Sequence, residues 1–138
     1  MAQIYLLDTN AASDVMKERS IVARHALETE ARLGVIAIST ITAAELRFGL
    51  RKRNSVRLQA AFEKFCAAAE ILLWDDSAAE AYGELRYSLT LRGITLDAMD
   101  LLIAAHAMSV DAVVVTHDQA FQQITDFVKV VDWSTGEE

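Results

Sequence analysis

The sequence contains no proline and a single cysteine, Cys66. One cysteine excludes an intramolecular disulfide and a metal cluster built on several thiolates. Five glycines in 138 residues and a hydrophobic content of 53% are typical of a folded chain. No apolar run approaches the roughly 18 residues that a membrane span requires, and the N-terminal residues lack the pattern of a secretory signal. We therefore expect a single cytoplasmic domain over residues 1–138.

Positive charge is also scarce. The chain carries 13 Lys and Arg residues against 20 Asp and Glu residues, which gives a net charge of −7. Such an acidic chain is not typical of a nucleic-acid binder. Nevertheless, five of the thirteen basic residues fall in one short stretch: Arg47, Arg51, Lys52, Arg53 and Arg57. This stretch is either a solvated helix face or a surface that contacts phosphates or an acidic partner.

Short apolar runs alternate with longer amphipathic stretches along the whole chain. The apolar runs, rich in Val, Ile and Leu, predict strands buried on both faces: Ile4–Leu7, Val35–Ile38, Ile71–Leu73, Ala112–Val115 and Val128–Val131. The amphipathic stretches predict helices: Ala11–Lys17, Ile21–Leu33, Ile41–Lys52, Val56–Ala69, Ala78–Leu91, Ala98–Met108 and Gln119–Ile124. Gly34 and Gly93 are expected to end helices in the left-handed conformation. The alternation predicts an open, parallel α/β sheet with helices on both faces.

Four acidic residues are predicted to lie at one edge of this sheet. Asp8 ends the first strand, Glu45 follows the second, Asp100 lies near the start of a helix, and Asp118 follows the fourth strand. Each also has a structural explanation, because Asp8 and Asp118 could cap helices and Glu45 could close a capping box with Thr42. Ligands of open α/β sheets bind beyond the carboxyl ends of the strands. This edge is therefore the candidate site.

Carboxylates that cluster at such an edge must take up protons or hold a cation. Two like charges about 4 Å apart repel each other by roughly 4 kcal/mol at an effective dielectric constant of 20. Oxygen ligands without cysteine or paired histidines favour Mg²⁺ or Mn²⁺ over zinc. Such ions bind substrate phosphates and activate water for attack on a phosphodiester. The residues thus predict metal-dependent phosphoryl transfer, most simply nuclease hydrolysis, with the basic stretch available to hold phosphates.

Five segments, taken in order, resemble the PIN-domain ribonucleases of the VapC toxin type: LLDTN, ISTITAAELRFG, WDDSAAEAYGELRYSL, MDLLIAAHA and VVVTHDQAF. The similarity extends from residue 4 to about residue 133. The resemblance implies a three-layer α/β/α fold with a parallel five-stranded sheet of order 3-2-1-4-5. It also implies the toxin of a toxin–antitoxin pair, an endoribonuclease that uses metal-activated water to cleave single-stranded or looped RNA, with tRNA as a candidate.

The resemblance assigns expected roles to individual residues. Mg²⁺ or Mn²⁺ would be held by an acidic quartet, with three polar residues in support: Asp8, Glu45, Asp100 and Asp118, then Thr9, Asn10 and Thr116. Four basic residues are candidate contacts to RNA or to a partner: Arg47, Arg51, Lys52 and Arg53. The partners would be a small cognate antitoxin and a second copy in a homodimer.

Two residues depart from the family pattern. Asp97 stands where many relatives have a small residue, and it is interpreted as a helix cap or a fifth carboxylate near the metal. His117 stands where asparagine is common, and it either tunes Asp118, contacts RNA or faces solvent. Neither departure removes one of the matched acids.

Three other functions remain as alternatives. An aspartate-nucleophile phosphatase would need a second acid two residues after the first, where this chain has Asn10. A phospho-acceptor receiver domain could explain Asp75 and Asp76, but it would need an acid pair after the first strand, where only Asp8 is present. A PIN fold that has lost catalysis would act as a binding module.

Overall fold

The five predicted strands form one sheet that is parallel throughout. In the computed structural model, which describes residues 2–18 and 20–135, the strands are β1 (Ile4–Leu7), β2 (Val35–Ser39), β3 (Glu70–Leu72), β4 (Val113–Val115) and β5 (Lys129–Val131). Their order in the sheet is β3-β2-β1-β4-β5, as the resemblance implied. All four strand pairings are parallel. Because β1 and β4 are central neighbours, residues that follow these two strands meet at the middle of the carboxyl edge.

Within the described residues, seven helices connect the strands, each within two residues of its predicted bounds. They are α1 (Thr9–Met16), α2 (Ile21–Ala31), α3 (Thr40–Arg53), α4 (Val56–Ala68), α5 (Asp76–Leu91), α6 (Ala98–Val110) and a 3₁₀ helix over Gln119–Ile124. Each begins after an Asp or Ser whose side chain accepts a backbone N–H of the first turn: Asp8, Ser20, Ser39, Ser55, Asp75, Asp97 and Asp118. Among the described residues, no helix is long and apolar enough to cross a membrane.

Neighbouring residues of the central strands pack into opposite faces of the sheet. Leu6 and Val114 belong to an apolar cluster built with α5 and α6. Leu7 and Val115 belong to a second cluster, built with α1, α2 and α4. Helices therefore cover both faces, which explains why the strands are apolar at consecutive positions and do not alternate with polar residues.

The two glycines at helix ends play different parts. Gly93 has a φ angle of +69° and takes the left-handed conformation that was predicted. The prediction for Gly34 was wrong, because the preceding residue, Leu33, takes the left-handed conformation with φ 66°. Gly34 is required by close packing instead, since an added Cβ would lie 2.5 Å from Cγ2 of Thr29 and 3.3 Å from Cε2 of Tyr5.

Candidate active site

Asp8 lies at the centre of the carboxyl edge, directly after β1. Its backbone N–H donates to the carbonyl of Val115 (3.1 Å), which extends the pairing of β1 with β4 by one residue. Its Oδ1 accepts the N–H of Ala11 (2.8 Å) and caps α1, and its carboxylate also accepts a hydrogen bond from the Thr116 hydroxyl. Asp8 is only 9% exposed, and this burial raises its pKa, although both hydrogen bonds and the charge of His117 lower it.

The turn after β4 places Thr116 and Asp118 beside Asp8. The N–H of Thr116 donates to the carbonyl of Val131 (3.0 Å), so this residue continues the pairing of β4 with β5. Its Oγ1 accepts the N–H of Asp118 (3.0 Å), and Oδ1 of Asp118 accepts the N–H of Ala120 (2.9 Å) to cap the 3₁₀ helix. Thr116 therefore bridges Asp8 and the Asp118 turn through one buried hydroxyl group.

Asp100 approaches the same point from the first turn of α6. Its N–H donates to Oδ1 of Asp97 (2.9 Å), so Asp97 serves as the cap of this helix. The pKa of Asp100 is raised to about 7, first by burial and then by the charges of Asp97, Asp118 and Asp8. A hydrogen bond between the side chains of Asp100 and Asp118 raises it further. The structure thus brings Asp8, Asp100 and Asp118 within electrostatic reach of one another.

Glu45 has different surroundings from these three acids. It lies in the second turn of α3 and lines a cavity of about 770 Å³ between α1, α3 and α4, together with Thr9 and Asn10. It is not among the groups that shift the pKa of Asp8 or Asp100. The capping box with Thr42 is not formed, because Ser39 caps α3 through the N–H of Ile41 (3.1 Å). Glu45 therefore has no capping role.

Thr9 and Asn10 were predicted to support the acids. Both line the 770 Å³ cavity at the start of α1, and Asn10 is exposed. Among the described residues, no side-chain hydrogen bond joins either of them to Asp8. Direct support of Asp8 comes from Thr116, while Thr9 and Asn10 form the rim where the cavity meets the acidic edge.

The donor set at this edge suits a hard divalent cation. Asp8, Asp100 and Asp118 offer only carboxylate oxygens, and their mutual repulsion would be relieved by bound positive charge. Within residues 2–18 and 20–135, however, no three His, Cys, Asp or Glu side chains converge closely enough to hold an ion as they stand. The residues fit a divalent metal by their chemistry, and their side chains would have to draw together around it.

The basic stretch divides into residues that line the cavity and residues that do not. Arg53 and Arg57 of this stretch line it, together with two basic residues from outside the stretch, Lys17 and Lys64. Arg47 lies over the ring of Phe62, with 5.0 Å from Cζ to the ring centroid, and Nζ of Lys52 lies 5.4 Å from the ring centroid of Phe48. Arg51 is exposed and does not line the cavity. We name this cavity, with its acidic end at Glu45 and its basic end at Arg53 and Arg57, the α1–α3–α4 groove.

Trp74 is a further residue at this edge whose part the sequence did not reveal. Its backbone N–H donates to Oγ1 of Thr40 (3.1 Å), the first residue of α3. Its indole Nε1–H donates to the carbonyl of Leu102 (2.9 Å) in α6. Trp74 thus links the helix that carries Glu45 to the helix that carries Asp100. A tryptophan placed directly after a predicted strand was the only signal for it.

Comparison with known proteins identifies one family. A sequence model of the PIN domain matches residues 5–126. The chain is 33% identical over 127 residues to ribonuclease VapC2 of Rickettsia felis, across 91% of this chain and 95% of that relative. It is 33% identical over 133 residues to the tRNA(fMet)-specific endonuclease VapC of Salmonella typhimurium, across 94% and 97% of the two chains. A chain in the crystal structure of VapBC2 from Rickettsia felis, bound to a DNA fragment from its promoter, has a TM-score of 0.83 and 32% identity, with 95% and 99% of the chains covered.

Proposed function

This chain belongs to the PIN-domain family, and we propose that it is a divalent-metal-dependent endoribonuclease that acts as the toxin of a toxin–antitoxin pair. Its substrate is single-stranded or looped RNA. Transfer RNA is a candidate, because a relative of 33% identity is named a tRNA(fMet)-specific endonuclease. The observation that carries this proposal is the meeting of Asp8, Asp100 and Asp118 where β1 and β4 end.

PIN-domain ribonucleases generally depend on a divalent metal. We propose Mg²⁺ or Mn²⁺ for this chain, since all the candidate donors are carboxylates. The proposed ligands are Asp8, Glu45, Asp100 and Asp118. A bound ion of this kind would supply an activated water and neutralise charge on the phosphodiester.

The chain's own residues prepare this edge for a cation. The Ala11 N–H and the Thr116 hydroxyl fix the Asp8 carboxylate, so its orientation does not depend on a ligand. With a pKa of about 7, Asp100 is protonated in a substantial fraction of molecules at neutral pH and shares a hydrogen bond with Asp118. Burial keeps Asp8 away from bulk water, which strengthens its interaction with any charge that arrives.

Replacement of Asp8 by Asn tests the catalytic proposal. The amide oxygen of Asn can still accept the Ala11 N–H and cap α1, so the fold should remain. We expect RNA cleavage in Mg²⁺ or Mn²⁺ to fall by roughly a thousandfold or more, as is usual when a central electrostatic group of a site is removed. Circular dichroism would show that the variant is folded. Full activity of a correctly folded Asp8→Asn protein would contradict the proposal.

The proposed protein partners are a small cognate antitoxin and a second copy of the chain. A solved relative is a complex of the VapBC type, and this supports the antitoxin. Expression of the wild-type chain alone should arrest growth, co-expression of the neighbouring small gene should relieve the arrest, and expression of Asp8→Asn should not cause it. Normal growth under strong induction of the wild-type chain would argue against a toxin. Light scattering of the purified chain would test the homodimer.

A further inference from the structure

The α1–α3–α4 groove has opposite charge at its two ends. Its acidic end is lined by Glu45 beside Thr9 and Asn10, and its basic end by Arg53 and Arg57. We propose that this groove is a subsite for the RNA strand, in which Arg53 and Arg57 hold backbone phosphates next to the scissile one. The inference rests on the proposed ribonuclease function and adds the path by which the substrate leaves the acidic edge.

The corner between α3 and α4 brings the two arginines together. Arg53 is the last residue of α3 and Arg57 is the second residue of α4. Between them, Asn54 ends α3 in the left-handed conformation (φ 46°, ψ 48°), and Ser55 caps α4 by accepting the N–H of Leu58 (3.2 Å). A corner of two residues between the helices therefore brings one arginine from each helix to the lining of the groove.

The two arginines are also the groove cations that have no acidic partner among the described residues. Lys64 pairs with Glu18 at 2.6 Å, and Lys17 lies 3.9 Å from Asp14. Within residues 2–18 and 20–135, no ion pair involves Arg53 or Arg57. The position of Arg57 in the first turn of α4 is opposed by the helix dipole, so helix stability does not explain a cation there.

The distance along the groove suits a short stretch of nucleic-acid backbone. Glu45 and Arg53 lie eight residues apart on α3, which is a rise of about 12 Å. If the scissile phosphodiester lies at Asp8 and Asp100, the strand reaches the arginines within a few nucleotides. Proteins that bind single strands place positive charge along the path of the nucleic-acid backbone. An RNA substrate necessarily carries a phosphate at every nucleotide along this path, whereas a protein partner need not be acidic here.

Salt-dependent binding of oligouridylate tests the proposal. Binding would be measured in EDTA, so that the RNA is not cleaved, for the wild type, Arg53→Ala, Arg57→Ala and Arg51→Ala. Each phosphate contact to a single strand contributes about 0.7 to the slope of log K against log salt. We expect Arg53→Ala and Arg57→Ala each to lower the slope by about that amount and the affinity by roughly threefold to tenfold. Arg51, in the same last turn of α3 but outside the groove, should keep the slope.

The possible outcomes distinguish failure of the proposed subsite from failure of the proposed ribonuclease function. Unchanged slopes in both groove variants, with a wild type that binds and cleaves RNA, would overturn the subsite and leave the ribonuclease. An equal decrease of the slope in Arg51→Ala would overturn it too, because the whole basic stretch, and not the groove, would then determine RNA binding. Weaker antitoxin binding with unchanged RNA binding would make the groove a protein interface and contradict the inference. If Arg57→Ala does not fold, Arg57→Gln removes the same charge with a smaller change of side chain, and thermal melting would show whether it is folded. A wild type that cleaves no RNA would refute the proposed function itself.

Discussion

Asp8 and Glu45 are proposed ligands of one ion, yet the fold holds them in different ways. Asp8 is buried, its backbone extends the β1–β4 pairing, and its carboxylate accepts hydrogen bonds from Ala11 and Thr116. Glu45 lies in the second turn of a helix and borders a cavity of about 770 Å³. The strand end fixes one acid before any ligand arrives, while the helix offers an acid on a longer side chain that has room to move. The site therefore combines a preorganised part with an adaptable part.

The largest expected difference is in the response of two variants to metal concentration. Glu45→Gln should lower RNA cleavage by about 10- to 100-fold at limiting Mn²⁺, and excess Mn²⁺ should restore much of the loss, because the remaining acids still attract the ion. Asp8→Asn should not recover, because it removes the central fixed carboxylate. Cleavage rates across a Mn²⁺ titration would measure both responses. Recovery of Asp8→Asn, or none in Glu45→Gln, would reverse the comparison.

The part of the site that could be predicted from the sequence is the part that the strands fix. Apolar runs identified the strands because helices bury both faces of the sheet, and polar residues at their ends then had to share one edge. Asp8 and Asp118 follow directly from that logic, whereas Thr116 was expected only from the resemblance to the family. Asp100 could be grouped with these acids because it lies near the predicted start of α6.

The groove could not be read from the sequence in the same way. Which members of the basic stretch line it depends on the rotation of α3 and on where the corner at Asn54 places α4. Those are contacts between helices, and local periodicity does not encode them. For the same reason, Arg51 and Arg53 looked equivalent in the sequence, and the link from Trp74 to both acid-bearing helices was invisible.

The pH dependence of the free energy of unfolding provides a second, smaller effect, which concerns Asp100. Because the pKa of Asp100 rises from 3.8 to about 7 on folding, the folded protein binds more protons than the unfolded chain between these values. The free energy of unfolding of the metal-free protein should therefore fall as pH rises through this interval. Asp100→Asn removes that loss, so at about pH 8 it should be more stable than the wild type by on the order of 1 kcal/mol after discounting for solvent screening.

Urea unfolding in EDTA at several pH values would measure this effect. Near pH 4 and below, the wild type and Asp100→Asn should differ little, because Asp100 is then protonated in the folded protein. A wild-type stability that is flat between pH 4 and 8 would show that the repulsion around Asp100 is absent.

Trp74→Phe should have the smallest effect, and it tests whether the two parts of the site are positioned together. The variant keeps an aromatic ring near Tyr82 and the backbone bond to Thr40, but it loses the indole donor to Leu102. One such hydrogen bond contributes about 1 kcal/mol to the free energy of unfolding. We expect that loss together with a roughly twofold to fivefold rise in the Mn²⁺ concentration needed for half-maximal cleavage, since a shift of α6 relative to α3 disturbs the spacing of the acids.

The chain supplies a matched control in its second tryptophan. Trp133 is buried against Tyr5 and His25, with ring centroids 5.5 and 5.8 Å away, in the apolar cluster on the α1, α2 and α4 face. Trp133→Phe should lower the melting temperature through lost packing and leave the Mn²⁺ requirement unchanged. If both variants keep the wild-type Mn²⁺ requirement, α3 and α6 place their acids independently and Trp74 only stabilises the fold. A shift confined to Trp74→Phe would instead show that the Trp74 indole sets the spacing between Glu45 on α3 and Asp100 on α6.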